Sequence, residues 1–544
     1  MCAQLALLII QKVLHFLGEA LLIKEVMVLI EIKYAKDIEK VVLGNQIGIK
    51  ELVAVARFNA KVEFSEVYTN RVKKSRSLVE KWVSEERVMY GITTGFGAMC
   101  NEVILPKETA QLQRNIVLSH ACSVGEPLCI EEVRATMFMV LQNAGQGFSG
   151  IRMETMEMYR DFLNLGVTPF APKEGSVGYL SPEAHMALVL IGEGKAYLGR
   201  ELLSSKEALN RVGLKPTELS SKEGLILVSG TTSVTGIGAL ALYDMLNASK
   251  SADIIGAMTL EVLKGTTKAF DERLMSVRPH EEQSNSAGNV RTILKDSEIA
   301  KKFENYRLQD ALSIRCIPQL HGAAKKTLKD ALKTIEIEIN SCCDNPVIWP
   351  EGDDGEVISG CNADASYVGI EMDSSCIAAT MIGKMSERRN NRLIDGNMSG
   401  YPWFLIKKPG LNSGLMVPQY AQAGLLNDMK ILSHPACVDG VPTCGNQEDY
   451  TSMGYNASKK ASQIIDKLEF ILAIELLSVY EAHQFMEDNL LAGTASKAVL
   501  DEIRLSVPVM EEDMFLYPHI NTIRDLIHDK KIIQLVEEKV GKLL

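Results

Sequence analysis

The sequence predicts a mainly α-helical protein, a bundle of long helices with a loop-rich N-terminal part. Three observations carry that prediction. Val133, Met137 and Leu141 recur at helical spacing within 131–142. The stretches 236–264, 366–395 and 457–487 are long and apolar on more than one face, as expected of helices buried in a bundle or between subunits. Gly and Pro gather at 145–150, 172–182, 408–418 and 435–445, which read as the loops between.

Taken in order, residues 1–40 form an N-terminal extension. Residues 2–31 are rich in Leu, Ile and Val, but Lys12, Glu19, Lys24 and Glu25 interrupt the run before the ~20 apolar residues a membrane span needs. No small-residue cleavage site follows a single apolar block. The reading is an extra amphipathic helix, or sequence upstream of a start at Met27. An α/loop-rich part follows over 41–235, the long-helix bundle over 236–490, and a helical tail over 491–544. With no targeting signal recognised, a cytoplasmic location is expected.

Composition narrows the function. Among 544 residues, 58 Lys and Arg stand against 69 Asp and Glu, a net charge of −11. That disfavours nucleic acid and anionic membranes as partners. Hydrophobic residues at 46% and charged ones at 23% supply ample core for a folded chain. Eleven cysteines, scattered apart from Cys342–Cys343 and without a CxxC, suit a reducing compartment. Each is expected to be a small buried hydrophobe. Gly145, Gly147 and Gly150 spell GxGxxG, but a helical segment precedes them and no βαβ alternation follows, so no dinucleotide loop is expected. There is no P-loop, nucleophile-elbow or HExxH motif, and no metal site is expected among the nine histidines.

Four segments are specific when taken together. The first is Tyr90-Gly91-Ile92-Thr93-Thr94-Gly95-Phe96-Gly97, and the second Gln113-Arg114 leading to Leu118-Ser119-His120-Ala121. The third is Gly175-Ser176-Val177-Gly178 followed by Leu180-Ser181-Pro182-Glu183-Ala184-His185. The fourth is Gln309-Asp310-Ala311-Leu312-Ser313-Ile314-Arg315, followed by Pro318-Gln319. With Ser386-Glu387-Arg388-Arg389 and the run from His434-Pro435 to Asn446-Gln447-Glu448-Asp449, they resemble the aromatic amino acid ammonia-lyases, in particular the histidine ammonia-lyase branch. The resemblance runs from about residue 41 to the end. It implies an ammonia-lyase/fumarase-type helical fold, and homotetramers whose active sites are shared between subunits.

The resemblance also implies a particular chemistry. The family removes a weakly acidic β-proton and expels ammonia, assisted by a methylidene-imidazolone formed from Ala-Ser-Gly after the GSVG segment. Here Gly178 is followed directly by Tyr179-Leu180, with Tyr179 where the family has Asp. Two readings are open: the tripeptide is hidden because it matures into one non-standard unit, or it is deleted. Distant substitutions favour deletion. Ser229 replaces the Asn that supports the group, Leu312 replaces the catalytic Tyr of the QDxYSxR segment, and Asp428 stands where the family has Glu.

Other family positions persist. Tyr90 matches an acid–base group, Arg315 a residue that pairs with the substrate carboxylate, Ser119-His120 the histidine-selective pair, and Gln309 is kept. A substrate with an amine already able to leave would not need the electrophile. A trimethylammonium has no lone pair and departs as trimethylamine. The sequence therefore resembles the ergothionase branch, which converts ergothioneine to thiourocanate without the prosthetic group, so no cofactor is expected.

On that reading Tyr90, partly as phenolate, takes the β-proton and Arg315 holds the carboxylate. His120, Lys384 and Asp428 bind the thioimidazole, with Lys384 near the sulfur. Tyr179 offers its ring to the cation, and Asp364 balances it. Ser229 and Leu312 make room for the methyl groups. Each has a plainer alternative: Tyr179 as a packing residue that closes the shortened loop, Lys384 and Asp428 as ion-pair members. At the level of the whole chain, two alternatives stay open. One is an ordinary histidine ammonia-lyase forming urocanate. The other is a non-catalytic subunit that stabilises an active relative.

Overall fold

A computed structural model describes residues 34–544 apart from 353, 487 and 488. The expectation for 2–31 lies outside the described residues.

The stretches apolar on several faces become the interior of a helical bundle. Five helices carry it: α1 (Thr232–Val262), α2 (Ile317–Ile339), α3 (Ser366–Ile394), α4 (Met416–Leu432) and α5 (Gly454–Ala482). Nearly every residue of α1 is buried, because α3 and α5 pack along it and the Ile130–Ala144 helix closes a further side. Glu223–Val262, which includes α1, is long and apolar enough to cross a membrane by length and composition, but its most apolar window lies wholly inside the protein. The start of α1 is fixed by Glu183, which accepts from the Ser233 N–H at 3.0 Å and the Thr232 hydroxyl at 3.1 Å, a carboxylate at the positive end of the helix dipole.

A buried polar chain ties four of the five helices together. Arg389 of α3 forks onto Glu475 of α5 at 2.5 and 2.8 Å, and both are fully buried. Thr259 of α1 donates to the same carboxylate at 2.7 Å. His321 of α2 lies 3.4 Å from Arg389 and 2.8 Å from Asp253 of α1, which also holds Lys325. Asn289 joins Asp253 to the C-terminal Leu544. One hydrophobic cluster runs from Ala35 to Leu543 around this chain.

The N-terminal part is richer in strand than the sequence suggested. Lys40–Leu43 and Lys61–Phe64 pair in parallel across the Ile49–Phe58 helix, and three further small sheets are antiparallel. The GxGxxG is a packing device. It follows the Ile130–Ala144 helix, and a Cβ on Gly145, Gly147 or Gly150 would strike Tyr68, Arg71 or Val79 of the Glu66–Ser84 helix at 1.9–2.6 Å. The expected loops hold with two exceptions: Pro172–Glu174 is a short strand inside 172–182, and α4 begins at Met416, inside 408–418.

Candidate active site

Segments far apart in sequence converge on one cavity of about 760 Å³. The Thr109–His120 helix brings Ser119 and His120. It is fastened to the Glu223–Val228 helix by Gln113, whose amide oxygen accepts from the Gly224 N–H at 2.9 Å. The contact is tight, since a Cβ on Gly224 would lie 2.4 Å from the Gln113 carbonyl oxygen. The second helix ends at Ser229, on the cavity wall. The next residue turns with φ +98°, and a side chain there would meet Asn143 at 2.9 Å, so Gly230 is required.

The Gly178–Leu180 turn lies against that helix end, with Leu180 N–H donating to the Val228 carbonyl at 2.8 Å. The Gly178–Tyr179 junction and Ser229, fifty positions apart, are thus neighbours in space. Tyr179 lines the cavity there and donates its hydroxyl to Glu448 at 3.0 Å, a carboxylate that also accepts from Thr443 at 3.0 Å. Burial and the Glu448 charge hold the Tyr179 phenol well above its ordinary range.

Tyr90 enters from the loop after the Glu66–Ser84 helix, and its hydroxyl oxygen accepts from the Gly97 N–H at 3.0 Å. Burial raises its pKa above 10, the Gly97 N–H opposes, and Glu448 adds to the rise. The shift favours the neutral phenol in the resting site, against the partial phenolate expected from sequence. His120 has Nδ1 3.0 Å from the Ser119 hydroxyl, and its ring lies 5.4 Å from Phe96. Burial lowers its pKa below 6.5, so it is a neutral imidazole at pH 7.

One chain does not gather the other candidates here. Arg315 donates to the Asp310 carbonyl at 3.0 Å and, with the Gln309 amide turned to match, to the Gln309 oxygen at 3.1 and 2.7 Å. Neither lines the Tyr90 cavity. Leu312 and Lys384 line a different, apolar groove of about 800 Å³ beside α2 and α3, where the Lys384 amine lies 3.2 Å from the Met381 sulfur. Asp428 on α4 pairs with Lys467 at 3.1 Å and is half exposed, the plainer of its two readings. Asp364 sits beside the cavity lip formed by Cys361 and Ala363, accepting from Tyr450 at 3.0 Å. Helix packing, which motif spacing does not encode, decides this division.

Sequence reasoning missed two features. Glu448 lies in the run from His434 to Asp449 and had no role assigned to it. Cys100, Cys122, Cys361 and Cys444, expected as buried hydrophobes, line the cavity, and the last three are exposed. Among the described residues no cluster of His, Cys, Asp and Glu fits a metal ion. The residues between Gly178 and Leu180 do not fit a group derived from Ala-Ser-Gly, since Tyr179 alone stands between them.

The family profile of the aromatic amino acid lyases matches residues 47–505. Histidine ammonia-lyase from Alkaliphilus oremlandii is 42% identical over 500 residues, covering 91% of this chain and 98% of that protein. The crystal structure of histidine ammonia-lyase from Trypanosoma cruzi superposes with a TM-score of 0.86 at 32% identity, over 92% of this chain and 96% of its own. Ergothionase from Treponema denticola, an ergothioneine-degrading enzyme, gives 0.84 at 27% identity, over 91% and 100%. This chain belongs to the aromatic amino acid lyases, a family of carbon–nitrogen lyases.

Proposed function

We propose that the Tyr90 cavity binds a histidine-type amino acid and eliminates its α-nitrogen. Two leaving groups compete. Overall likeness favours ammonia from histidine, since the curated relatives at 42% identity are histidine ammonia-lyases and the ergothionase stands at 27%. One local observation favours trimethylamine from ergothioneine: the Gly178–Tyr179 junction, with no Ala-Ser-Gly anywhere in the chain. We commit to the betaine on that chemistry. An amine that is already quaternary needs no added electrophile.

The residues then divide the work. The Gly97 N–H aimed at the Tyr90 oxygen favours phenolate, and burial opposes it. A trimethylammonium seated nearby supplies the positive charge that tips the balance, so the Tyr90 phenol releases its proton to solvent when substrate arrives. Tyr90 takes the β-proton, the C–N bond breaks, and its electron pair leaves with trimethylamine. Neutral His120 hydrogen-bonds the ring. Arg315, Gln309, Lys384 and Asp428 act from neighbouring copies in a homotetramer, which is why one chain leaves them outside the cavity.

The test is to supply ergothioneine and L-histidine separately to the pure protein. Trimethylamine with a conjugated near-UV product from ergothioneine, and no ammonia from histidine, is the expected result. Ammonia and urocanate from histidine overturn the betaine reading in favour of the relatives' reaction. Turnover of neither overturns both.

A further inference from the structure

A second cavity, of about 1080 Å³, opens at the joint between the Tyr517–His528 and Lys531–Val540 helices. Its wall is rich in cations: Lys36, Arg57, Arg134, Arg200 and Lys530 face Glu131 and Asp529. Pairing neutralises Arg57 and leaves others without a carboxylate. Arg57 takes up Glu131 at 2.5 Å and forks onto Asp244 at 2.7 and 2.6 Å. Among the described residues, Arg134, 2% exposed, donates only to the carbonyls of Val55, Ala56 and Leu163. Among the described residues, the side chains of Lys530 and Arg200 make neither an ion pair nor a hydrogen bond. The lining His528 is turned to Glu469 at 3.0 Å.

Lys530 is also held in place. Its backbone is left-handed, φ +61°, in the short joint between the two helices, and its amine sits 3.3 Å from the centroid of the Tyr243 ring. Tyr34 and Tyr197 add aromatic wall. Unpaired cations beside aromatic faces fit a flat molecule that carries negative charge.

We propose that this cavity is a second ligand site, separate from the Tyr90 cavity, for a small aromatic anion, with the Lys530 amine at its centre. Burial, with Lys50, Arg57 and Lys250 nearby and Asp244 opposing, brings that amine down to about 7. At pH 7 about half is free base, against about one in 2,500 for an unperturbed lysine. The ammonium form attracts an anion into the cavity, and the free-base fraction is nucleophilic toward an aldehyde carried there.

Pyridoxal 5′-phosphate, an aromatic phosphate bearing an aldehyde, is the probe. The Lys530 lone pair attacks the aldehyde carbon. A C–N bond forms, the carbonyl oxygen leaves as water with both amine protons, and borohydride then delivers hydride to the imine carbon while solvent protonates the nitrogen. Peptide mapping after brief labelling of the full chain at pH 7 should find Lys530 modified at least ~10-fold more than any other lysine. Inorganic phosphate should suppress the label, and Lys530→Asn, which tolerates the left-handed backbone, should abolish it. Lys530→Arg keeps the charge without forming an imine, so saturable quenching of its fluorescence by the probe should persist. Label spread evenly over exposed lysines, insensitivity to phosphate, or loss of saturable binding in Lys530→Arg each overturns the site.

Discussion

The Tyr90 hydroxyl is pulled two ways, by an N–H that favours its anion and by burial and Glu448 that oppose it. Removing the hydroxyl tests its role: Tyr90→Phe should lower kcat at least the ~10²-fold typical of a lost acid–base group, with KM little changed. The sign of the Glu448 effect gives a second test. Its charge raises the Tyr90 pKa, so kcat/KM should climb with pH through the alkaline range, and Glu448→Gln should move that climb to lower pH. A profile unmoved by the substitution would detach Glu448 from the base. Tyr90, Ser119 and His120 were legible because motif segments carried them. Glu448 was passed over because a carboxylate in a loop shows its partners, here Tyr179 and Thr443, only after folding.

At the scale of elements, the long helices followed from their hydrophobic pattern, but the polar chain inside them did not. Arg389 and Glu475 lie 86 positions apart, and nothing in periodicity pairs them. Arg389→Met leaves Glu475 charged and buried, so it should destabilise by about 3–5 kcal/mol in urea unfolding. Arg389→Met with Glu475→Leu should recover much of that loss. A further buried carboxyl closes α5: Glu481 is raised from 4.5 to about 7 by burial. A carboxyl raised by folding contributes stability below its unfolded value and loses it as pH climbs through the folded one, here between about 4.5 and 7. Glu481→Gln should therefore match the parent near pH 4 and exceed it at pH 8, by an amount on the order of 3 kcal/mol at most. Equal urea midpoints at both pH values would refute this.

At the scale of the molecule, the apolar groove beside α2 and α3 leaves Leu312, Ile377 and Met381 substantially exposed, and Tyr367 and Ile370 add to the open face of α3. A monomer seldom leaves so much apolar surface open. On the proposed shared-site arrangement, Ile377→Glu with Met381→Glu should shift light scattering toward the single-chain mass and abolish turnover. The Tyr90 cavity itself stays folded, so a retained far-UV helix signal should accompany that loss.

The order of residues alone determined the helical class, because buried helices must be apolar around their circumference, and it determined the kinship, because short motifs survive as strings. It also exposed the missing tripeptide after Gly178. Only the packed structure decided which candidates share a cavity. Tyr90, Ser119, His120, Tyr179 and Ser229 meet in one chain, and Gln309, Leu312, Arg315, Lys384 and Asp428 do not. The reason is geometric. A motif fixes which side chain stands at a position, but the distance between two positions is set by how rigid helices cross, and that is a property of the whole core.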